Sequence, residues 1–167
     1  MKKYELTEET VTVYGKTLYR IRAVRDFGSV KTGEFGGYIE KEENLSHFDN
    51  AWVCGDAWVF GNARVCGDAK VYGNARVYDD AWVSGNAEVF NTRHFFVQGP
   101  IGSRNGFITF YRTKDNTVEV RCGCFSGSLQ EFVNQVEETH GGSRYEKEYK
   151  LAAELAKVCI RLEGESR

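Results

Sequence analysis

The sequence predicts a mainly β protein, in which a central stack of short strands is followed by a small α+β module. Two observations carry this prediction: an unbroken repeat of six residues spans 51–92, and the repeat stops at 93. Glycine is abundant at 18 residues while proline occurs once, which suits regular tight turns. A chain of 167 residues is long enough for one domain with a real core and small appendages.

Each repeat unit reads Ala-x-Val-x-Gly-Asn or a close variant, as in the unit from Ala57 to Asn62. The Ala and the Val are two residues apart, so they lie on the same side of an extended strand. The Gly-Asn or Gly-Asp pair that follows tolerates positive φ and turns the chain. Seven consecutive hexads, preceded by imperfect ones that start at Ile39 and Leu45, predict about three triangular coils, each of three hexads.

The hexads resemble the hexapeptide-repeat family of left-handed β-helices, in which a small residue follows an aliphatic one four positions later. Val59 with Ala63 and Val65 with Ala69 fit this pattern. The resemblance implies a left-handed coil and a parallel homotrimer. The expected fold class is a left-handed parallel β-helix of about three coils over 39–92, with an N-terminal β-hairpin cap over 1–38 and a C-terminal α+β module over 93–167. An antiparallel meander with regular turns is the alternative.

The N-terminal segment predicts a hairpin around Tyr14-Gly15-Lys16, which would cover the open end of the stack. From Leu18 to Glu40 the string Leu-Tyr-Arg-Ile-Arg-Ala-Val-Arg-Asp-Phe-Gly and its glycine-rich continuation resemble the start of hexad-repeat proteins of bacteriophages and prophages. This resemblance covers about 90 residues and brings no settled activity with it. It implies the host cytosol as the location.

The C-terminal segment predicts a hairpin of strands 107–112 and 118–122, followed by two helices. Ser128 and Glu131 form a capping box, which opens a first helix that runs to about His140. A second helix is expected from about 145 to 162. Its predicted apolar face contains Leu151, Leu155, Val158 and Leu162.

The outward positions of the hexads carry many aromatic side chains. A soluble monomer rarely exposes so much contiguous apolar surface, so we expect this surface to be covered. The cover is either the chain's own flanking segments or the neighbouring subunits of a homotrimer. The predicted interface residues of the homotrimer are Trp58, Phe60, Tyr72, Arg76, Tyr78 and Trp82.

Charge and cysteine content exclude several classes of protein. Lys and Arg number 22 against 24 Asp and Glu, a net charge of −2 that argues against a nucleic-acid polymer as partner. The longest apolar runs are only a few residues, so the sequence predicts neither a membrane segment nor a secretory leader. Five cysteines fit no disulfide framework, which favours a reducing, cytoplasmic location.

The most promising binding element is the glycine-rich stretch 99–106 between two strands, together with the start of the first helix. Free backbone N–H groups beside guanidinium groups suit a phosphate. The predicted ligand-binding residues are Gly102, Ser103, Arg104, Asn105, Arg121 and Ser128. An ordinary turn and an ordinary N-cap are the alternative, in which case the next place to look is the cleft between stacks near Arg64, Lys70 and Arg76.

The sequence predicts no catalytic, metal or cofactor site. An acyltransferase of the hexapeptide family needs a histidine on a protruding loop, whereas His47 falls at an inward position and His94 has no acidic partner beside it. Cys122 and Cys124 lack the spacing of a zinc motif. We therefore expect a non-catalytic oligomer that holds a small anionic ligand such as a nucleotide; in a phage it would sequester a host immune signal. The alternatives are an acyltransferase using a CoA thioester and a structural or protein-binding trimer.

Overall fold

The structure, a computed structural model, describes residues 1–165. Ser166 and Arg167, which belong to the predicted segment 93–167, lie outside the described residues. The strands and helices in chain order are β1 Tyr4–Val13, β2 Lys16–Ala23, β3 Phe35–Ile39, β4 Trp52–Val53, β5 Trp58–Val59, β6 Arg64–Val65, β7 Lys70–Val71, β8 Arg76–Val77, β9 Trp82–Val83, β10 Glu88–Val89, β11 Phe95–Ile101, β12 Gly106–Arg112, β13 Val118–Cys122, β14 Phe125–Ser128, α1 Leu129–His140 and α2 Arg144–Cys159.

The hexad segment, residues 51–92, forms strands of two residues each, from β4 to β10. Each strand pairs in parallel with the strand three hexads away, as Trp58 and Val59 do with Arg76 and Val77. The corners between strands need positive φ, which glycine supplies at nearly every one. At Gly67 a glycine is also required by space, because a Cβ there would lie 2.9 Å from the backbone N of Gly85 in the next layer.

The interior of the hexad segment consists of the two inward positions of each unit. Every Ala from 51 to 87 and every Val from 53 to 89 at these positions is 0 or 1% exposed. These small and branched side chains fill the narrow space between the strands and form one continuous apolar cluster. The predicted inward direction of Ala and Val is therefore confirmed.

The predicted fold class, a single left-handed parallel β-helix of about three coils, is wrong. Within the described residues, the strands belong to four separate sheets: a five-stranded sheet in the order β1-β2-β3-β5-β8, a three-stranded sheet β10-β7-β4, a two-stranded sheet β6-β9 and a four-stranded sheet β11-β12-β13-β14. The five-stranded sheet mixes antiparallel and parallel pairs. Because each hexad strand has only two residues before a turn, backbone pairing breaks at every corner and each side forms its own small sheet.

The N-terminal hairpin continues one of these sheets. β1 and β2 pair antiparallel across the turn of Tyr14 and Gly15, whose φ angles are 50° and 76°. β2 then pairs with β3, and β3 pairs in parallel with the hexad strand β5. The hairpin was predicted as a cap over the end of the stack; it is joined to the stack edge to edge, as part of the same sheet.

Lys3 ties the start of the chain to the first hexad. Its Nζ donates hydrogen bonds to the carbonyl oxygens of Asp49 at 2.8 Å and Ala51 at 2.7 Å. The side chain is fully buried, and burial lowers the pKa of Lys3 to about 8 although the Asp49 carboxylate opposes this. Carbonyl groups at the beginning of the hexad segment are thus satisfied by a side chain.

The C-terminal module, residues 93–165, packs its sheet of β11 to β14 against α1 and α2. The predicted hairpin is present as β12 and β13, and the predicted capping box is confirmed: Ser128 Oγ accepts from the N–H of Glu131 at 3.1 Å, while Ser128 N–H donates to Glu131 Oε2 at 2.7 Å. Within the described part of the chain, neither helix combines the length and apolar character needed to cross a membrane.

The predicted apolar face of α2 is wrong for three of its four residues; the fourth, Leu162, lies beyond the end of the helix and packs against the core of the module. Leu151, Leu155 and Val158 are 63, 46 and 75% exposed. The buried face consists of the small residues Ala152, Ala153 and Ala156, with Ile160 just beyond the helix. Alanines let the helix backbone approach the sheet closely, so the small side chains occupy the interface and the larger ones point outward.

Candidate functional site

A cavity of about 1270 Å³ lies where the hexad segment meets the C-terminal module. We call it the cleft. Arg64 and Trp82 line it from the hexad segment. Arg104 on the β11–β12 loop, Phe107 at the start of β12 and Arg121 on β13 line it from the module. The cleft therefore collects side chains from segments far apart in the sequence.

The register of β12 and β13 decides which side chains enter the cleft. Thr109 pairs with Arg121, and Thr109 Oγ1 accepts a hydrogen bond of 2.9 Å from the backbone N–H of Trp82. The face of the sheet that carries Thr109 and Arg121 is thus turned toward the hexad segment. Their neighbours on the opposite face, including Ile108 and Val120, pack against the helices.

The Arg121 guanidinium stacks on Trp82, with its Cζ 3.9 Å from the ring centroid. Arg64 approaches the same ring, with its Cζ at 5.9 Å. Stacking uses the flat face of a guanidinium and leaves its in-plane N–H groups free. The Nε of Arg121 is buried and makes no hydrogen bond with the described residues. Trp82 therefore holds cationic donors in place without neutralising them.

In the part of the chain that the structure describes, the three arginines of the cleft form no ion pair with a carboxylate. Within residues 1–165, the arginine ion pairs are those of other residues: Arg20, Arg22, Arg112 and Arg144. Two carboxylates, Glu43 and Asp80, also line the cleft, and Asp80 accepts a hydrogen bond of 3.1 Å from Asn62. With Lys41 included, four cationic side chains face two carboxylates, so the cleft favours an anion.

The glycine-rich loop contributes two of its four predicted ligand-binding residues to the cleft, Ser103 and Arg104. Gly102 donates its N–H to Glu148 Oε2 at 2.7 Å, and Asn105 donates its N–H to the carbonyl of Gly102. Gly102 also lies against Tyr149, because a Cβ at this position would be 1.9 Å from the Tyr149 hydroxyl. These two N–H groups are occupied by the protein, which removes them as donors for a phosphate.

The sixth predicted ligand-binding residue, Ser128, lies away from the cleft. It lines a smaller cavity of about 380 Å³ near Ile160 and Leu162. The capping box with Glu131 already uses its hydroxyl and its N–H. Ser103, Arg104 and Arg121 therefore line the cleft, whereas Gly102, Asn105 and Ser128 do not.

Two of the predicted interface residues are covered by the chain itself. Phe60 is buried under Val13 and Leu18 of the N-terminal hairpin. Trp82 lies in the cleft, under Arg121 of the module. The flanking segments thus provide part of the cover that the aromatic surface requires.

The other four predicted interface residues are partly or fully exposed, although Trp58 also packs against the cluster of Val13, Leu18 and Phe60. The Arg76 guanidinium lies over Trp58, 4.3 Å from the ring centroid. Tyr78 stacks on Phe60, with 5.5 Å between ring centroids, and remains partly exposed. Tyr72 is half-buried. The homotrimer stays a prediction.

The two histidines considered for acyl transfer lie outside the cleft. His47 Nδ1 accepts the N–H of Lys3 at 3.2 Å. His94 is buried, and its Nδ1 accepts the N–H of Phe90 at 3.3 Å. Burial, assisted by the positive charge of Arg112, lowers the pKa of His94 to about 4. His47 packs on Tyr4 of β1, with 4.1 Å between ring centroids, and His94 packs against Phe90 of its own segment.

The cysteines at 122 and 124 flank the tight turn between β13 and β14 and line the cleft. Burial raises the pKa of Cys122, which keeps its thiol protonated. His140 lines the same cleft, with its ring centroid 5.6 Å from that of Tyr149. In the part of the chain that the structure describes, no group of three His, Cys, Asp or Glu side chains is placed to hold a metal ion.

Sequence reasoning missed Phe107 and Lys41 as site residues, and it assigned Trp82 to a subunit interface. The alternation Phe107, Thr109, Tyr111 along β12 marks one face of a strand. The sequence does not show which face meets the hexad segment, because that depends on the contact between β9 and β12. Arg64 was named as the second place to look, and it does line the cleft.

The fold and the cleft define a β-solenoid repeat segment joined to a small α+β module. In agreement, residues 69–85 match the family model described as YdcK beta solenoid repeat. The match covers about a tenth of the chain, so it supports the repeat class and says nothing of the two flanks. A comparison with curated proteins gives no match. The likeness to phage hexad-repeat proteins stays a prediction.

Proposed function

We propose that this protein binds a small phosphate-bearing ligand in the cleft, without catalysing a reaction on it. The observation that carries the proposal is that Arg64, Arg104 and Arg121 all line one cavity, and none of them is paired with a carboxylate of residues 1–165. Unpaired cations in a partly enclosed site are costly unless a mobile or bound anion accompanies them. A ligand with a phosphate group would accept their hydrogen bonds.

Arginine suits this task because its planar fork of N–H groups matches the oxygens of a phosphate. Arg121 is already oriented by Trp82, so a ligand gains its hydrogen bonds without first ordering a flexible side chain. The volume of about 1270 Å³ is above the range of roughly 300–1,000 Å³ that is usual for small-molecule sites. The cleft thus has room for a ligand larger than a free phosphate ion.

The arrangement supports binding better than acyl transfer. His47 and His94 are engaged in backbone hydrogen bonds away from the cleft. His140 is the one histidine of the cleft among residues 1–165, and its ring packs against Tyr149. A binding protein needs cationic donors and an enclosed volume, and those are the features that the cleft presents.

The biological role that follows from the phage resemblance is the sequestration of a host nucleotide signal. This role is our proposal from context: a protein that removes a signal by binding needs a cleft and no catalytic group. If each chain binds one nucleotide, the amount of signal removed would be limited by the concentration of the protein.

Isothermal titration of the protein with inorganic pyrophosphate tests the proposal. We expect saturable binding, one site per chain, that weakens as salt is raised because the contacts are ionic. Phosphorus NMR of the same mixture should show intact pyrophosphate. Release of orthophosphate would contradict the non-catalytic part of the proposal. Absence of binding at millimolar pyrophosphate would contradict the proposal itself and favour the structural alternative.

A further inference from the structure

Phe107 is a half-exposed aromatic side chain at the edge of the cationic cleft. It is 43% exposed, although the five residues that follow it in β12 are buried. One side of its ring lies against Gly99, where a Cβ would be 2.5 Å from the Cδ1 of Phe107. The backbone of Gly99 therefore supports the ring from one side, and the exposed part faces the cleft that Phe107 lines.

The position of Phe107 along β12 places it on the same face of the sheet as Arg121. It precedes Thr109 by two residues, so both side chains lie on the same face of the sheet, which is also the face of Arg121. Two residues of strand span about 7 Å. A sugar that links a planar base to a phosphate bridges a gap of this kind between an aromatic platform and a guanidinium.

We propose that the ligand of the cleft is a nucleotide, whose base stacks on Phe107 while its phosphate accepts hydrogen bonds from Arg121 and Arg64. This inference rests on the proposed function, and it assigns recognition of the nucleotide base to one residue, Phe107. Stacking on an aromatic ring tolerates any base, because every base has a π-face. Phe107 therefore selects for the presence of a base rather than for its identity.

Phe35 provides a matched control on the same chain. It is 49% exposed, and the Arg20 guanidinium lies 5.2 Å from its ring centroid. Its exposure is thus close to that of Phe107, and it does not line the cleft. A general effect of removing a surface aromatic would appear equally in both variants.

The test compares AMP with ribose 5-phosphate, which differ only by the base, in titrations of the parent, Phe107→Leu and Phe35→Leu. We expect the parent to bind AMP about tenfold more tightly than ribose 5-phosphate. Phe107→Leu should remove most of this preference and leave the affinity for ribose 5-phosphate unchanged. Phe35→Leu should change neither affinity. Circular dichroism of each variant establishes that it is folded.

The possible outcomes separate this inference from the proposed function. Equal affinities for the two compounds, or equal weakening of both by Phe107→Leu, would overturn the role of Phe107 while leaving phosphate binding intact. Failure of both compounds to bind would overturn the inference and the proposed function together. An oligoadenylate that bound far more tightly than AMP would overturn the assignment to a small ligand.

Discussion

The hexad segment and the C-terminal module use opposite means to build their interiors. In the hexad segment, Ala and Val recur at two positions of every unit, and all of them are buried. In the module, the largest apolar side chains of α2 are on the surface and its alanines are inside. A repeated pattern reveals which positions face inward because the same spacing is seen seven times, whereas one helix offers a single instance.

The interior of α2 shows why a single instance misleads. Leu151, Leu155 and Val158 recur at helical spacing and would form an apolar stripe by hydropathy alone. Ala152, Ala153 and Ala156 form a neighbouring stripe that hydropathy ranks lower. The helix lies so close to the sheet that only the alanine stripe fits between them. This distance depends on the packing of the whole module, so it cannot be read from the sequence of the helix alone.

The largest expected effect comes from placing a charge inside the hexad segment. Val77→Asp puts a carboxylate where no partner exists, and an unpaired buried charge costs several kcal/mol. We expect the variant to unfold or to be recovered only as insoluble material. The matched control is Arg76→Asp, whose side chain is exposed one residue away. Equal tolerance of the two changes in thermal denaturation would contradict the inward assignment.

The second effect tests which side of α2 faces the interior of the module. We expect a change at an alanine to destabilise the module more than a change at a leucine, which is the opposite of what hydropathy suggests. Ala153→Leu forces three extra carbon atoms into a position that is 1% exposed, and overpacking of this kind costs about 1–3 kcal/mol. Leu151→Ala removes a side chain from solvent, so its effect on the free energy of unfolding should stay within about 0.5 kcal/mol. Urea denaturation of both variants measures the difference. If Leu151→Ala lowered the free energy of unfolding more than Ala153→Leu does, the leucine stripe would have to be covered in solution.

The third effect concerns the junction of the two regions, where His94 is buried. Its pKa is lowered to about 4, so the unfolded chain takes up a proton first as the pH falls below about 6.5. The free energy of unfolding should therefore fall between pH 6.5 and pH 4, by up to about 3 kcal/mol from this residue. Urea denaturation across this range, with His94→Gln for comparison, isolates the contribution.

His94→Gln should lose less stability than the parent over the same pH range. Some dependence will remain in the variant, because burial also lowers the pKa of His47. An identical pH dependence in parent and variant would show that His94 takes up its proton in the folded protein as easily as in the unfolded chain.

The features predicted correctly from the sequence are those encoded by neighbouring residues. The turn at Tyr14-Gly15, the hairpin of β12 and β13, the capping box of Ser128 and the inward Ala and Val positions all depend on spacings of a few residues. The division of the strands into four sheets was missed, because it depends on where backbone pairing breaks in three dimensions.

The cleft could be predicted only in part, for the same reason. Arg104 and Arg121 were selected because glycines and a hairpin surround them, and both line the cleft. The role of Trp82 could not be deduced, because it depends on a contact between residues 82 and 121, which lie on different sheets. Ser128 was selected as a helix N-terminus, yet its own capping box occupies it.

The most direct test of the central claim is the pyrophosphate titration repeated on single arginine variants. Arg121→Gln and Arg104→Ala each remove a charge-assisted donor from the cleft, so we expect each to weaken binding by about ten- to a hundredfold. Arg76→Gln, which removes an arginine outside the cleft, should bind as the parent does. Unchanged affinity in Arg121→Gln and Arg104→Ala would contradict the account, because pyrophosphate would then bind somewhere else on the molecule.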